Sequence, residues 1–198
     1  MGNITWVNNP KQHYVLGLGE KKKGPWKLFD EYAKSSIRKR SIPAENFFAD
    51  FTHIYPSSIY NPIIGSYFNK LTAADRLDIV GHGSKYGPIG MVYNGVDYPS
   101  GLPAVFLAKQ LALYGVKEVG VIALHSCNLG SGGYLYELRR ALIDIGIKFG
   151  YLRAPRGLLG ASHIPFTGVR PVYSLKFWEP SLIVKGNLDV KYQGTKYN

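Results

Sequence analysis

The chain contains one cysteine, Cys127, and a histidine, His82, placed where the two could act together. Cys127 follows the apolar run 119–124, and His82 stands between two glycines after the largely apolar run 77–80, about 45 residues earlier. A thiol with a base beside it is the arrangement that nucleophilic catalysis requires. The two residues therefore predict thiol chemistry if the fold brings them together.

The two apolar runs have the character of buried parallel strands. Both are short, bounded by turn residues and rich in β-branched side chains, as strands covered on both faces tend to be. Ligands of an open α/β sheet bind outside the carboxyl ends of its strands. If the two strands are parallel neighbours, His82 and Cys127 lie at the same edge of the sheet.

The residues after Cys127 favour a reactive thiol. A lone cysteine is ordinarily a small buried hydrophobe, but here the glycine-rich stretch 128–133 leads into a predicted helix. Free backbone N–H groups at such a turn, together with a helix start, stabilise a thiolate and can hold a developing oxyanion. We therefore interpret Cys127 as a candidate nucleophile.

His82 is the natural base, because Gly81 and Gly83 let the backbone turn sharply and let a substrate approach closely. His125 competes for that role, since strand alternation puts it on the same face as Cys127, two residues deeper. The remaining histidines show no ligand spacing, so no metal site is expected from His13, His53 and His163.

Strand and helix signals alternate along the chain, with further strands at 13–19, 47–51 and 149–152 and helices at 25–37, 100–115 and 133–146. Ser100 is the predicted N-cap of the second helix, and Ile145 is expected to face inward from the third. Asn94-Gly95 predicts a hairpin with a type I′ turn. The β-rich tail 169–190 is interpreted as a terminal hairpin or an edge extension. The pattern indicates an α/β fold with a mostly parallel central sheet and helices on both faces.

Length and composition fit one domain over residues 1–198. No apolar stretch approaches the roughly 18 residues of a membrane span, and the polar N-terminus has no signal-peptide core. A single cysteine excludes an internal disulfide, so reducing surroundings are expected.

The net charge of +11 is concentrated at the two ends of the chain. Residues 1–40 and 148–198 carry +6 each, whereas 41–147, which contains the candidate site, carries −1. This asymmetry suits either an anionic partner at the ends or a basic surface kept for solubility. Nucleic acid is not expected as a partner, because basic and aromatic residues are not interleaved as they are in single-strand binders.

Two segments together resemble the caspase-like cysteine peptidases (clan CD), Ile79-Val80-Gly81-His82-Gly83 and Ala123-Leu124-His125-Ser126-Cys127-Asn128. The autoprocessing cysteine peptidase domains of bacterial toxins are the most similar members. Those domains also place a Leu-Ala-rich helix between the two segments, as at 107–111. The match covers residues 75–155 and leaves the two ends unmatched.

The resemblance implies a role for each matching residue. Cys127 would be the nucleophile, His82 its proton-transferring partner, and the main-chain N–H groups of Gly83 and Cys127 the oxyanion hole. The family requires no third catalytic residue, and for Asp78 a strand-core or surface role is favoured over one of orienting His82. The chain would then be a thiol protease, a hydrolase that cleaves a protein or peptide substrate through an acyl-enzyme and needs no cofactor for the chemistry.

The resemblance also implies a regulator and a setting. In the toxin domains inositol hexakisphosphate binds a basic cleft away from the site, so an inositol phosphate or another anionic ligand is a candidate activator. The protein would be a bacterial effector or toxin module, a secreted virulence factor without a classical signal peptide that acts in the reducing cytosol of a host or target cell. The candidate anion-binding residues are Lys21, Lys22, Lys23, Arg38, Lys39, Arg40, Arg153 and Arg156.

Two other functions stay open on the residues alone. The same Cys-His pair could catalyse another acyl transfer on the same fold, such as deamidation or transglutamination. Alternatively, the basic ends could hold an anion in a non-catalytic module whose Cys127 is inert, and binding would then depend steeply on salt.

Overall fold

Seven strands form the central sheet of the computed structural model, six of them parallel and the seventh an antiparallel strand at one edge. The structure describes residues 10–18, 42–50, 61–62, 65–89, 91–157, 159–160, 163–164, 168–169, 173–174 and 181–191. The strands are β1 (His13–Leu18), β2 (Phe47–Asp50), β3 (Asn61–Pro62), β4 (Arg76–Val80), β5 (Gly83–Ser84), β6 (Gly87–Pro88), β7 (Met91–Tyr93), β8 (Val96–Tyr98), β9 (Glu118–His125), β10 (Lys148–Ala154), β11 (Leu159–Gly160), β12 (His163–Ile164), β13 (Gly168–Val169), β14 (Tyr173–Ser174) and β15 (Leu182–Lys185). Within these described ranges the helices are α1 (Ala104–Leu113) and α2 (Tyr134–Asp144), with short 3-10 turns at Ala44–Asn46 and Tyr67–Lys70.

The strand order across the sheet is β15-β10-β9-β4-β1-β2-β3. The chain begins in the middle with β1, adds β2 and β3 on one side, and then adds β4, β9 and β10 on the other. The order therefore reverses between β1 and β4. In open α/β sheets such a switch point is where ligands bind, outside the carboxyl ends of the strands.

Helices α1 and α2 pack against each other and cover one face of the sheet. The connections β4-α1-β9 and β9-α2-β10 advance in the same direction, and right-handed crossovers place both helices on the same side. The main core lies there, with Leu107 and Leu138 of the helices against Ile79 and Leu124 of the sheet. The mostly parallel sheet is thus confirmed, whereas the helix expected at 25–37, which would cover the other face, lies outside the described residues.

Positive φ angles occur at the predicted hairpin turn and just beyond the ends of the two helices. Asn94 and Gly95 have φ of 49° and 79° between the paired strands β7 and β8, which confirms the type I′ turn. Gly115 and Gly146 have φ of 89° and 82° beyond the ends of α1 and α2, a conformation that glycine adopts without strain. The C-terminal edge extension is confirmed by β15, which pairs antiparallel with β10.

Two expectations about the helices are wrong. Ser100 is not an N-cap, since α1 begins at Ala104 behind Pro103. Leu102 directly precedes Pro103, and a residue before proline is disfavoured in helical conformation. The helix therefore does not extend back towards Ser100. Ile145 does not face inward but is 37% exposed, because α2 ends at Asp144 and the chain leaves the helical path there.

Candidate active site

The strands that lead to His82 and Cys127 are parallel neighbours in the sheet. Strands β4 and β9 pair in register, with Val80 opposite His125 at their carboxyl ends. Both candidate residues therefore follow at the same edge, beside the switch point between β1 and β4. The expectation that the two segments share one sheet edge is confirmed.

The two segments are in direct contact beyond the ends of the strands. The N–H group of Gly81 donates to the carbonyl oxygen of His125 over 3.4 Å. A Cβ atom at Gly83 would lie 2.6 Å from Cβ of Ser126 and 2.9 Å from the carbonyl oxygen of Cys127. Only glycine fits this position, and its small size lets the loop after His82 lie against the backbone of Cys127.

The hairpin of strands β5 and β6 contains Gly83 but does not use the N–H group of this residue in its hydrogen bonds. Strands β5 and β6 form a hairpin, and Ile89 N–H donates to the carbonyl oxygen of His82 over 3.0 Å. Gly83 stands opposite Pro88, at a position of an antiparallel pair that exchanges no hydrogen bonds. A Cβ atom at Gly83 would lie 3.2 Å from the backbone nitrogen of Cys127. The two N–H groups named above for an oxyanion hole thus belong to adjacent pieces of backbone.

The turn after Cys127 differs from expectation, because several of its N–H groups are already bonded. Those of Asn128 and Gly130 donate to the carbonyl oxygens of Gly157 and Pro155, over 2.9 Å and 2.8 Å, and that of Ser131 to Asn128 over 3.0 Å. Helix α2 begins only at Tyr134. The bonds fix the half-buried Cys127 at its position, but the turn does not supply the row of free donors that the glycine-rich sequence suggested.

A buried charge network lies in the sheet directly behind the two candidate residues. The carboxylate of Asp78 is fully inaccessible, and its Oδ1 lies 2.6 Å from Nε of Arg76. Its Oδ2 lies 2.9 Å from Nε2 of His13 and 3.2 Å from Nε2 of His125. The network therefore joins the three adjacent strands β1, β4 and β9.

The network determines the ionisation of Asp78. Burial alone would raise the pKa of the carboxyl group, but the charges of Arg76, His13 and His125 and the hydrogen bond from His125 outweigh burial. The pKa of Asp78 is accordingly held well below its ordinary value. Asp78 thus has the strand-core placement that was favoured from the sequence, and both His13 and His125 lie within ion-pair distance of its carboxylate.

A pattern of charged residues in the sequence indicates this network, although it is not part of the motifs described above. In the strand Arg76-Leu77-Asp78-Ile79-Val80, two charged residues alternate with apolar ones although the whole strand is buried. Residues two apart in a strand share a face, and His13 is in register with Arg76. Buried charges require partners, so the alternation itself predicts a polar cluster on the face opposite the main core.

The candidate anion-binding residues are only partly described. Arg153 is half-buried on β10, and Arg156 is exposed shortly after that strand. The other candidates, Lys21, Lys22, Lys23, Arg38, Lys39 and Arg40, lie outside the described residues. Within the described part of the chain, no group of three His, Cys, Asp or Glu side chains could hold a metal ion.

Comparisons with protein-family models, with curated proteins and with solved structures found no match to this chain. None of the helices in the described ranges has the length and apolar character needed to cross a membrane. The geometry of the site and the two sequence segments are therefore the observations that bear on function.

Proposed function

We propose that the protein is a caspase-like cysteine peptidase in which Cys127 is the nucleophile and His82 the base. The observation that carries the proposal is the contact between the two loops, in which Gly83 lies against the backbone of Cys127. It supports a shared site at the carboxyl edge of β4 and β9, beside the switch point of the sheet.

The chemistry would proceed through an acyl-enzyme. His82 accepts the thiol proton while the sulfur of Cys127 bonds to the carbonyl carbon of the substrate, and the N–H groups of Gly83 and Cys127 hold the oxyanion. As the C–N bond breaks, His82 gives its proton to the leaving amine. A water molecule then attacks the thioester, His82 takes a proton from that water, and Cys127 leaves with a proton as the acid product departs.

The cellular location and the anionic activator are also part of the proposal. A half-buried cysteine that forms no disulfide suits the reducing cytosol of a host or target cell, where a bacterial effector or toxin module would act. The basic ends, which include the exposed Arg156, would bind an anionic activator such as an inositol phosphate.

Mass spectrometry of a peptide library tests the reaction class. The wild-type protein should produce cleaved peptides that gain one water per broken bond, and Cys127→Ala and His82→Ala should produce none. Products in which a side-chain amide has become an acid without cleavage would favour the deamidase alternative. Absence of any Cys127-dependent product, with and without an added inositol phosphate, would contradict the proposal and favour an inert anion-binding module.

A further inference from the structure

We infer that Asp78 and His125 form a positioning pair that fixes the backbone carrying Cys127, and that His125 acts through this bond and not as a base. The inference rests on the proposed function, because it assigns roles around the same thiol. It goes beyond the Cys-His dyad by giving the buried charge network a task in the reaction.

The pair lies close behind both candidate residues. Asp78 is on β4, four residues before His82, and His125 is the last residue of β9, two before Cys127. Their side chains meet across the two strands, with Oδ2 3.2 Å from Nε2. A cross-strand bond at this point restricts how far the two loops can separate.

His125 is bound to the neighbouring strand segment at a second point as well. Its carbonyl oxygen accepts the hydrogen bond from the N–H group of Gly81, over 3.4 Å. The side chain thus contacts the residue four before His82, while the main chain contacts the residue directly before it. Both bonds restrain the end of β9, and the chain continues from there through Ser126 to Cys127.

The Asp78 bond also leaves His125 poorly placed to be the base. Its Nε2 faces a carboxylate that is fully buried and held ionised by Arg76 and His13 as well. A carboxylate at this distance favours a proton on Nε2 and fixes the tautomer and the ring orientation. His82 follows β4 in the loop that lies against Cys127.

Several other charged and titratable groups surround the pair in the sheet. On β1 and β4 they are His13 and Arg76, which contact the carboxylate. On β10, Arg153 is in register with Ala123, which is itself in register with Asp78. Tyr151 lies on the same strand, in register with Val121. Substitutions of Asp78 therefore change the balance of a cluster with several cations, and a carboxylate outside the cluster is needed as a control.

The test compares the rate at which iodoacetamide alkylates Cys127 in four variants over a range of pH. Asp78→Asn and His125→Ala should slow the reaction about tenfold or more, because small displacements of reacting groups are costly. His125→Gln should stay close to wild type, since its amide nitrogen can still donate to Asp78 but cannot act as a base. Asp75→Asn is the matched control, a buried carboxylate that bonds Thr72 at the opposite end of β4.

A His125→Gln variant that is as slow as His125→Ala, or that loses an ionisation from the pH profile, would overturn the inference. Where Asp78→Asn does not fold, the comparison between the two His125 variants decides alone. Amide hydrogen exchange at Ser126 and Cys127 separates this inference from the proposed function. If wild-type Cys127 reacts no faster than free cysteine, the peptidase proposal fails, yet faster exchange in Asp78→Asn than in Asp75→Asn still supports the positioning pair. Equal exchange in those two variants overturns it.

Discussion

The backbone of Gly83 lies directly against the backbone of Cys127, so close that a Cβ atom at position 83 would come within 2.9 Å of the Cys127 carbonyl oxygen. Gly83, which follows the candidate base, and Cys127, the candidate nucleophile, are therefore packed as one unit. Parallel strands β4 and β9 bring the two loops to the same edge, and the absence of a side chain at Gly83 lets them touch.

Gly83→Ala should separate the two loops. The new methyl group would meet Cβ of Ser126 at 2.6 Å, so the hairpin after His82 must move, at a cost of about 1–3 kcal/mol in unfolding free energy. A displacement of about 1 Å at the reacting groups would reduce activity on the order of 100-fold.

Gly133→Ala is the matched control for Gly83→Ala. Gly133 has a helical φ of −78°, and the one atom of the described residues that its added Cβ would meet is Oε1 of Glu137, at 3.6 Å. Urea unfolding and the alkylation rate of Cys127 should both stay near wild type. A Gly83→Ala protein with wild-type activity would contradict the tight contact described above.

Asp78 should stabilise the protein in a pH-dependent way. Its pKa in the folded state is held well below the value of 3.8 that it has when unperturbed. A carboxyl group with a lowered folded-state pKa contributes stability that is fully present above the unfolded-state value and is lost as the pH falls towards the folded-state value.

Urea unfolding of wild type and Asp78→Asn from neutral pH down to about pH 3 measures this contribution. We expect the variant to be less stable by about 3–5 kcal/mol at neutral pH, because Arg76 and the histidines lose their buried counter-charge. The difference should shrink below about pH 4. A difference that does not change with pH would show that the carboxylate charge is not what matters.

The sequence was sufficient for the parts of the fold that local patterns determine. Short β-branched runs predicted the neighbouring strands β4 and β9, and Asn94-Gly95 predicted a turn that requires positive φ at both residues. Because these two strands were expected to be parallel neighbours, His82 and Cys127 could be assigned to one edge of the sheet without knowing the order of the other strands.

The buried network and the bonded turn could not be predicted in the same way. His13 meets Asp78 because β1 lies between β2 and β4, and strand order depends on packing of the whole chain. Likewise, the N–H groups of Asn128 and Gly130 are bonded by residues 155–157 after β10. The charged residues within β4 indicate a polar cluster, but no local pattern identifies the distant residues that contact it.

Tyr134→Phe should make the protein more stable. Tyr134 is 2% exposed, and its hydroxyl forms no hydrogen bond with any part of the chain that the structure describes. Burial and the nearby charge of Glu137 raise the pKa of Tyr134, so the group stays protonated. A buried hydroxyl without a partner costs about 1–3 kcal/mol, and its removal should raise the thermal midpoint.

Tyr136→Phe provides the comparison for Tyr134→Phe on the same helix. Tyr136 is 58% exposed, so loss of its hydroxyl should change the unfolding free energy by less than about 0.5 kcal/mol. If Tyr134→Phe instead lowers the thermal midpoint, the buried hydroxyl has a stabilising partner and the assignment above is wrong.

The most direct test of the account is the rate at which iodoacetamide alkylates Cys127 at neutral pH in wild type and in His82→Ala. If His82 is the base beside the thiol, wild-type Cys127 reacts faster than free cysteine and His82→Ala loses that advantage, with its thermal midpoint preserved. A Cys127 that reacts no faster than free cysteine, at a rate unchanged by His82→Ala, would contradict the proposed dyad.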